Sequence, residues 1–194
     1  MKDEYTIIFI GKAGSGKGTQ IKEITKHFKE EQIMLLEAGQ NLRDFIDSHT
    51  YTATLAQESN VEGKLQPAFL AIWAWVNKML AMFTGQKVIC IDGAPRKLNE
   101  AHILDEMLDF YERKNRIIVI LEISNEWAKE RLKDRGRKDD LDIESVETRL
   151  NWFNQNSPGI VSFFEKSGKY QILKIHGEQS VEDVASDISK ALEL

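Results

Sequence analysis

The chain has 194 residues, of which 42% are hydrophobic and 29% charged, and its net charge is −5. Those values are ordinary for one globular core, and the acidic balance argues against a protein that coats nucleic acid, whose footprint is usually basic. Cys90 is the single cysteine, which excludes an intrachain disulfide and a cysteine-based zinc site. The sequence shows neither a signal peptide nor an apolar stretch of membrane-spanning length, so we expect a cytoplasmic protein that binds no membrane and no nucleic acid.

Strand-like and helix-like segments alternate along the chain, which predicts an α/β fold with a parallel sheet. The strand-like segments are short, rich in Ile, Val and Leu, and continuously apolar, as expected for strands that are covered on both faces. They span residues 5–10, 33–37, 87–92, 116–123 and 171–175.

A glycine-rich segment, residues 11–20, joins the first of these strands to an amphipathic helical pattern. A phosphate-binding loop requires that order, because the curled backbone points several N–H groups at an anion and the helix N-terminus adds positive charge. Lys17 supplies a full charge that can reach the outer phosphates. The spacing G-x-x-x-x-G-K is met, but Gly18 stands where the generic loop has Ser or Thr, so this loop is a variant.

Helical patterns fill the chain between the predicted strands. The pattern at 67–83 is apolar nearly all round, which predicts a buried helix with Pro67 in its first turn. A pattern that includes Phe153 is expected to stop at Pro158. Polar residues that can cap a helix N-terminus are expected to do so at Asn99, Asn125 and Ser180.

Two segments read as insertions between core elements, the polar residues 38–66 and the charged residues 133–142. Several arginines fall in these insertions or at the ends of predicted elements. An enzyme that transfers a phosphoryl group must hold the acceptor and neutralise charge on the moving group, and a planar guanidinium binds phosphate oxygens in pairs. We therefore expect some of these arginines to converge: Arg43, Arg96, Arg131, Arg135, Arg137 and Arg149.

Asp92 ends the third predicted strand. In open parallel sheets ligands bind at the carboxyl ends of the strands, which predicts that Asp92 lies near the phosphate loop. A carboxylate at that place can hold Mg²⁺, directly or through water. Gly93 and Pro95 follow, and they favour a tight, stiff turn that aims Arg96.

Together these residues resemble the adenylate kinase family of nucleoside monophosphate kinases, over essentially the whole chain. The glycine after the loop lysine, unusual in a generic phosphate loop, is usual in that family. The matching motifs are G-K-A-G-S-G-K-G-T-Q at 11–20, A-G-Q-N-L-R at 38–43, G-K-L at 63–65, D-G-A-P-R at 92–96, R-L-K-D-R-G-R-K-D-D at 131–140 and T-R-L at 148–150.

The resemblance implies a three-layer P-loop kinase fold, a single α/β domain over residues 1–194 with a five-stranded parallel sheet. Residues 38–66 would form a monophosphate-binding insert, and residues 132–142 a short lid over the triphosphate. The implied reaction is reversible phosphoryl transfer from ATP to a nucleoside monophosphate with Mg²⁺. We expect a monomer whose partners are small nucleotides.

The resemblance also implies roles for individual residues. The catalytic residues would be Lys17, Arg96, Arg131, Arg135, Arg137 and Arg149. The ATP-binding residues would be Gly14, Ser15, Gly16, Lys17, Gly18, Thr19, Arg131 and Gln179. The monophosphate-binding residues would be Ala38, Gly39, Arg43, Leu65, Gln66, Gly93, Arg96 and Glu100. Asp92 would bind Mg²⁺ through water, and no general base is required, because positioning and charge neutralisation carry this chemistry.

Four positions depart from the family pattern. The family has Gln where this chain has Glu100, at the position that reads the acceptor adenine, and an ionised glutamate can only accept hydrogen bonds. The other departures are Ala38 in place of Thr, Gln40 in place of Asp and Ala94 in place of an aromatic residue. AMP is the first expectation for the acceptor. CMP, UMP and GMP remain open, as does a catalytically weak nucleotide-binding regulator.

Overall fold

The computed structural model describes residues 4–61, 64–136, 140 and 142–194. Its centre is a five-stranded sheet in which every neighbouring pair of strands is parallel, in the order β2-β3-β1-β4-β5. The strands are β1 Tyr5–Gly11, β2 Ile33–Glu37, β3 Val88–Asp92, β4 Asn115–Glu122 and β5 Tyr170–His176. The predicted α/β fold and the five predicted strands are confirmed.

Helices make every connection between successive strands. They are α1 Lys17–Thr25, α2 Ala38–Ile46, α3 Tyr51–Val61, α4 Ala68–Met82, α5 Leu98–Phe110, α6 Asn125–Arg135, α7 Ile143–Ser167 and α8 Val181–Leu192. The connection from β2 to β3 carries α2, α3 and α4, and the connection from β4 to β5 carries α6 and α7. These two long connections contain the segments predicted to be the insert and the lid.

Both faces of the sheet are covered, because alternate residues of each strand point to opposite sides. On one face Ile8 and Ile91 join a core cluster with buried residues of α4, α5 and α7. On the other face Ile7 and Cys90 join a cluster with α1 and α8, and a smaller cluster links α6 to α7. Burial raises the pKa of the Cys90 thiol to about 12, so this residue packs as an unreactive apolar group.

Two of the predicted N-caps can be judged from side-chain hydrogen bonds. The cap predicted at Ser180 is confirmed, since its Oγ accepts the backbone N–H of Asp183 at 3.1 Å. The cap predicted at Asn125 is wrong by one residue. Ser124 occupies the cap position, and its Oγ accepts the backbone N–H of Trp127 at 3.1 Å. A hydroxyl on the residue just before the helix reaches the third N–H of the first turn.

Two other helices begin close to the predicted residues. Helix α5 begins at Leu98, so Asn99 lies inside its first turn and the cap predicted there is wrong. Helix α4 begins at Ala68, directly after Pro67, which therefore occupies the flanking cap position. A single N-terminal residue is not determined by apolar periodicity, which explains both shifts.

Helix α7 continues through Pro158, so the break predicted at that residue is wrong. A proline inside a helix costs about 3 kcal/mol, because it removes one backbone hydrogen bond and its ring clashes with a carbonyl. Leu150 before the proline and Ile160 and Phe164 after it are all buried. Burying each of these side chains contributes about 1.5–3 kcal/mol, which together outweighs the cost of the proline.

Helix α4 is not buried all round, contrary to the prediction. Trp75 and Met79 are fully buried, whereas Phe69, Trp73 and Leu80 are exposed by 68%, 42% and 69%. A helix that lies on a sheet buries one face, and the apolar residues of α4 exceed what that face holds. Across the described part of the chain, no helix combines the length and apolarity needed to span a bilayer.

The predicted insert and the predicted lid are described to different extents. Residues 38–66 contain α2 and α3, with residues 62–63 outside the described part. Residues 132–142 include the end of α6 and Asp140, while 137–139 and 141 are outside it, Arg137 among them. The boundaries of the insert and of the lid remain predictions.

Candidate nucleotide site

The segment between β1 and α1 has the backbone of an anion-binding loop. Gly14 and Gly16 adopt positive φ angles of 84° and 85°. A Cβ on Gly14 would lie 2.8 Å from the backbone oxygen of Ala128, so only glycine fits between the loop and α6. The other loop residues predicted to bind ATP follow directly along the loop and the first turn of α1. They are Ser15, Lys17, Gly18 and Thr19.

Lys17, the first residue of α1, folds its ammonium group back over this loop. Its Nζ donates to the carbonyl oxygens of residues 11 and 12 at 2.8 and 3.0 Å. Burial lowers the pKa of Lys17, whereas the negative charge of Asp92 acts to raise it. The positive charges of Arg96 and Arg135 lower it as well. Charges from the phosphate loop, the end of β3 and α6 therefore meet in one place.

Asp92, the last residue of β3, lies beside the phosphate loop. A Cβ on Gly18 would be 3.7 Å from Asp92 Oδ2. Within the described residues, no cluster of three or more His, Cys, Asp or Glu side chains is arranged to hold a metal ion. A single carboxylate next to a phosphate loop fits Mg²⁺, which keeps several waters and is commonly held by one or two carboxylates and substrate phosphates.

Arg43 and Arg96 converge over two glycines. A Cβ on Gly39 would lie 3.5 Å from Arg43 Nη1 and 3.9 Å from Arg96 Nη2, and a Cβ on Gly93 would lie 3.3 Å from Arg96 Nη2. Arg96 Nε donates to the Gly93 oxygen at 2.9 Å, and Arg43 Nη2 donates to Gln40 Oε1 at 2.7 Å. Two guanidinium groups above a floor without side chains have the chemistry of a phosphate-binding site.

A cavity of about 40 Å³ adjoins this arginine pair. Its lining comes from α2, from α4 and the residues before it, from the turn after β3 and from the first turn of α5. The predicted acceptor residues that line it are Ala38, Gly39, Leu65, Gln66, Gly93, Arg96 and Glu100, together with Leu42, Ala71 and Trp75. Arg43 is the one predicted acceptor residue outside this lining. Seven of the eight predicted acceptor residues therefore surround one space, although they come from distant parts of the sequence.

Glu100 is 2% exposed and faces this cavity from the first turn of α5. Its Oε2 accepts the backbone N–H of Arg96 at 2.8 Å. Burial raises the pKa of the Glu100 carboxyl, although that hydrogen bond and the charges of Arg96 and Lys97 act in the opposite direction. The carboxylate thus supports the turn that carries Arg96 while it lines the cavity.

Asp140 joins the two arginines predicted to close on the phosphates. Arg135 donates from Nε and Nη2 to its two carboxylate oxygens at 2.7 and 2.8 Å, and Arg149 Nη2 donates at 2.9 Å. The Asp140 side chain has no exposed surface. Burial alone would raise its pKa, but the hydrogen bonds from both guanidinium groups hold the pKa below the usual range. Asp140 therefore links the end of α6 to α7.

Arg131 and Gln179 are also predicted to bind ATP. An aromatic ring contacts Arg131, and hydrogen bonds hold the side chain of Gln179. The guanidinium of Arg131 lies over the ring of Trp127, 4.9 Å from its centroid, and Arg131 itself is exposed. Such stacking holds a guanidinium plane in a fixed direction. Gln179 Nε2 donates to the His176 oxygen at 2.8 Å and to Asp187 Oδ2 at 3.1 Å. Its carboxamide is thus bound by its own loop and by α8.

A larger groove, of about 580 Å³, lies at the amino ends of β4 and β5, opposite the phosphate loop. Arg116 and Lys169 line it, and both pair with Asp105 and Asp109 at 2.6–2.9 Å. These charges neutralise one another. Ligands of open parallel sheets bind at the carboxyl ends of the strands, where the phosphate loop lies. The groove lies at the amino ends, so we do not assign the nucleotide site to it.

A family model described as adenylate kinase matches residues 9–169. The chain belongs to the adenylate kinase family. It is 29% identical to adenylate kinase 1 of Nostoc sp. and 33% identical to the adenylate kinase of Prochlorococcus marinus, in each case over 96% of this chain and 97% of the relative. It is also 29% identical to UMP-CMP kinase 1 of Oryza sativa subsp. japonica, over 95% of this chain and 73% of the relative. This member of the adenylate kinase family is a nucleoside monophosphate kinase.

Besides Leu42 and Ala71 of the cavity lining, side chains at the site that were not predicted include Asp140, Trp127 and Trp75. Asp140 lies within a matching motif, R-L-K-D-R-G-R-K-D-D, so the sequence carried a signal for it. Trp127 stands four residues before Arg131 on the same helix, a spacing that brings side chains together. Trp75 carried no signal, because an apolar helix pattern does not show which of its tryptophans meets a cavity.

Proposed function

We propose that this adenylate kinase family member catalyses reversible phosphoryl transfer from ATP to AMP, with Mg²⁺, to give two molecules of ADP. The observation that supports this most directly is the meeting of charges between two separate sites. Lys17 and Asp92 stand at the phosphate loop, and Arg96 Nη2 lies 3.3 Å from a Cβ placed on Gly93, the residue that follows Asp92. Donor and acceptor phosphates bound at these two places would face each other.

On the donor side, the loop backbone and Lys17 would hold the phosphates of ATP. The ammonium group now bound to loop carbonyls at 2.8 and 3.0 Å would exchange these weak neutral partners for phosphate oxygens. Arg131, stacked on Trp127, would offer a flat cationic surface to the base. Mg²⁺, when bound, supplies positive charge between the phosphates, and Asp92 would orient its waters.

On the acceptor side, Arg43 and Arg96 would hold the monophosphate over Gly39 and Gly93. A guanidinium pair fixes both the position and the rotation of a phosphate, which favours in-line attack on the donor. Arg135, Arg149 and Arg137 would neutralise charge that develops on the transferred group. Residues 38–66 and 132–142 would close over the nucleotides and exclude water, which otherwise competes as the acceptor.

The choice of acceptor base is supported by the names of the relatives. Relatives named adenylate kinase match nearly the whole chain, which favours AMP. The same chemistry on another monophosphate is the alternative, since a relative named UMP-CMP kinase matches to a similar identity. Glu100 and Ala38, which depart from the family pattern at the acceptor cavity, are the observations that keep CMP, UMP and GMP open.

A coupled assay of ATP with AMP, CMP, UMP and GMP in turn tests the proposal. We expect the highest kcat/KM with AMP. Lys17→Met, prepared in parallel, should retain the fold and lose at least about 100-fold in kcat, because a single charged contact to a transition state is worth that much. A higher kcat/KM with another monophosphate would identify a different acceptor. ATP binding without turnover on all four would favour the nucleotide-binding regulator.

A further inference from the structure

Two charged side chains from distant parts of the chain hold the short junction between β4 and α6, which consists of Ile123 and Ser124. Lys12 of the phosphate loop donates from Nζ to the backbone oxygen of Ile123 at 2.8 Å. Glu178, in the loop between β5 and α8, accepts the backbone N–H of Ser124 at its Oε1. Strand β4 lies between β1 and β5 in the sheet, so the junction is held from both neighbouring strands.

The two side chains carry opposite charges. Hydrogen bonding to Ser124 holds the pKa of the Glu178 carboxyl below its usual range, and the positive charges of His176 and Lys12 act in the same direction. Glu178 is therefore an anion at neutral pH. Both of the hydrogen bonds to the junction are consequently charge-assisted, and such bonds are stronger than those between neutral groups.

Close packing also holds the start of α6. A Cβ on Gly177, the residue before Glu178, would lie 2.8 Å from Ile123 Cγ2, and a Cβ on Gly14 would lie 2.8 Å from the backbone oxygen of Ala128. Ile123 itself is 9% exposed and belongs to the apolar cluster that α6 shares with α7. The start of α6 thus rests directly on the phosphate loop and on the loop after β5.

Helix α6 carries two arginines of the proposed donor site, Arg131 and Arg135, in its second half. At about 1.5 Å per residue, Arg135 stands about 15 Å along the helix from its first residue, so a tilt of a few degrees at the junction moves Arg135 by about 1 Å. A misplacement of about 1 Å can slow a reaction about 100-fold. The action of both guanidinium groups therefore depends on how firmly the junction is held.

We propose that Lys12 and Glu178 are positioning residues of the donor site. They hold the junction from opposite sides and so set where α6 places Arg131 and Arg135 beside the phosphate loop. This inference rests on the proposed function, because it assigns those two arginines to ATP. Lys12 and Glu178 act through the backbone of the junction and do not bind ATP themselves.

Lys12→Met removes the ammonium group that holds Ile123. We expect the dissociation constant of MgATP, measured by calorimetry, to rise by about tenfold, as for one lost hydrogen bond, while the KM of the monophosphate stays unchanged. Lys12→Arg keeps the charge and the donors, and it should restore most of the affinity for ATP. Lys26→Met is the matched control, because it removes an equal charge from an exposed side chain at the end of α1.

Glu178→Ala separates positioning from direct contact with ATP, because the two explanations predict changes of opposite sign. ATP is a polyanion, so removal of a negative charge would by itself strengthen its binding. Loss of the hydrogen bond to Ser124 should weaken it instead, and we expect the dissociation constant of MgATP to rise by about three- to tenfold. Glu178→Gln keeps an acceptor oxygen and should lie between the wild type and Glu178→Ala.

An unchanged or lower dissociation constant of MgATP in Lys12→Met or in Glu178→Ala would overturn the inference. An equal loss for ATP and the monophosphate in Lys12→Met would indicate a general structural role and would overturn it too, as would a Lys12→Arg variant as weak as Lys12→Met. If Lys12→Met does not fold, the sign of the change in Glu178→Ala decides. A wild type that binds MgATP but phosphorylates no monophosphate would overturn the proposed function alone, because the comparison of dissociation constants does not depend on turnover.

Discussion

At the scale of single residues, three of the site's arginines stand in two different places. Arg43 and Arg96 stand over Gly39 and Gly93, next to the acceptor cavity. Arg131 stands apart from them on α6, stacked on Trp127. Because the groups face different nucleotides in the proposed mechanism, their removal should affect different kinetic constants.

We predict that Arg96→Ala and Arg43→Ala raise the KM of the monophosphate far more than that of ATP. Loss of a charge-assisted contact to phosphate commonly costs about 2–5 kcal/mol. Arg131→Ala is the mirror control and should raise the KM of ATP instead. Steady-state kinetics with each substrate varied separately measures both. An equal rise for the two substrates in Arg96→Ala would mean that the acceptor phosphate binds elsewhere.

We expect the choice of acceptor to depend on pH through Glu100. Burial raises the pKa of its carboxyl above the usual value, so the group takes up a proton at a higher pH than an exposed glutamate does. Protonation turns a pure acceptor into a donor that suits a carbonyl on the base.

We predict that the AMP to IMP preference of the wild type falls as the pH is lowered toward this pKa. In Glu100→Gln the AMP to IMP ratio should be independent of pH, because a carboxamide does not titrate in this range. A wild-type ratio that stays constant from pH 8 down to the ordinary glutamate pKa of about 4.3 would contradict this.

At the scale of elements, one buried carboxylate joins the end of α6 to α7, in addition to the apolar cluster that the two helices share. Asp140 receives hydrogen bonds from Arg135 at the end of α6 and from Arg149 in the second turn of α7. Removing one partner of a buried ion pair costs about 3–5 kcal/mol, and the 33% exposure of the Arg135 side chain should bring the loss toward the lower end.

We predict that Asp140→Asn lowers both stability and kcat. The fall in kcat should reach up to about 100-fold, since the two arginines would no longer be held in position.

The pKa of Asp140 is depressed in the folded state, so its stabilising contribution is complete above the ordinary aspartate pKa of about 3.9. That contribution is lost as the pH falls through the lower folded value. The difference in melting temperature between wild type and variant should therefore be large at pH 7 and shrink below pH 4. A constant difference down to pH 2 would argue that Asp140 acts through packing.

At the scale of the whole molecule, the two long connections leave the sheet on either side of β1. The one after β2 carries the proposed insert and the one after β4 carries the proposed lid, and the phosphate loop follows β1 between them. Strand order thus puts the donor and acceptor segments on opposite flanks of one loop. Closure of both segments would bring the nucleotides together and expel water.

We predict that residues 38–66 and 132–142 exchange amide hydrogens quickly in the free protein. Both should gain protection when a dinucleotide with a pentaphosphate bridge occupies the two sites at once. Hydrogen exchange followed by mass spectrometry measures each segment, and α8, on the far face of the sheet, serves as the internal control. Protection that is unchanged in both segments would contradict a hinged architecture. Light scattering on the same samples would test the expected monomer.

The sequence by itself determined the phosphate loop, the strands and the family, because each depends on residues close together in the chain. Glycine spacing shapes a loop locally. A continuously apolar run of five to eight residues predicts a strand covered on both faces, whichever strand becomes its neighbour in the sheet. The predicted acceptor residues also came from motifs, and the structure brings most of them to one cavity.

Only the tertiary structure decided which side chains meet across distant elements. Trp73 and Trp75 are alike in the sequence, yet one is on the outer face of α4 and the other lines the acceptor cavity with an unpaired N–H. Pro158 reads as a helix break, yet α7 continues because Ile160 and Phe164 are buried beyond it. Burial and hydrogen-bond partners depend on what the rest of the chain packs against each residue, and local pattern does not contain that information.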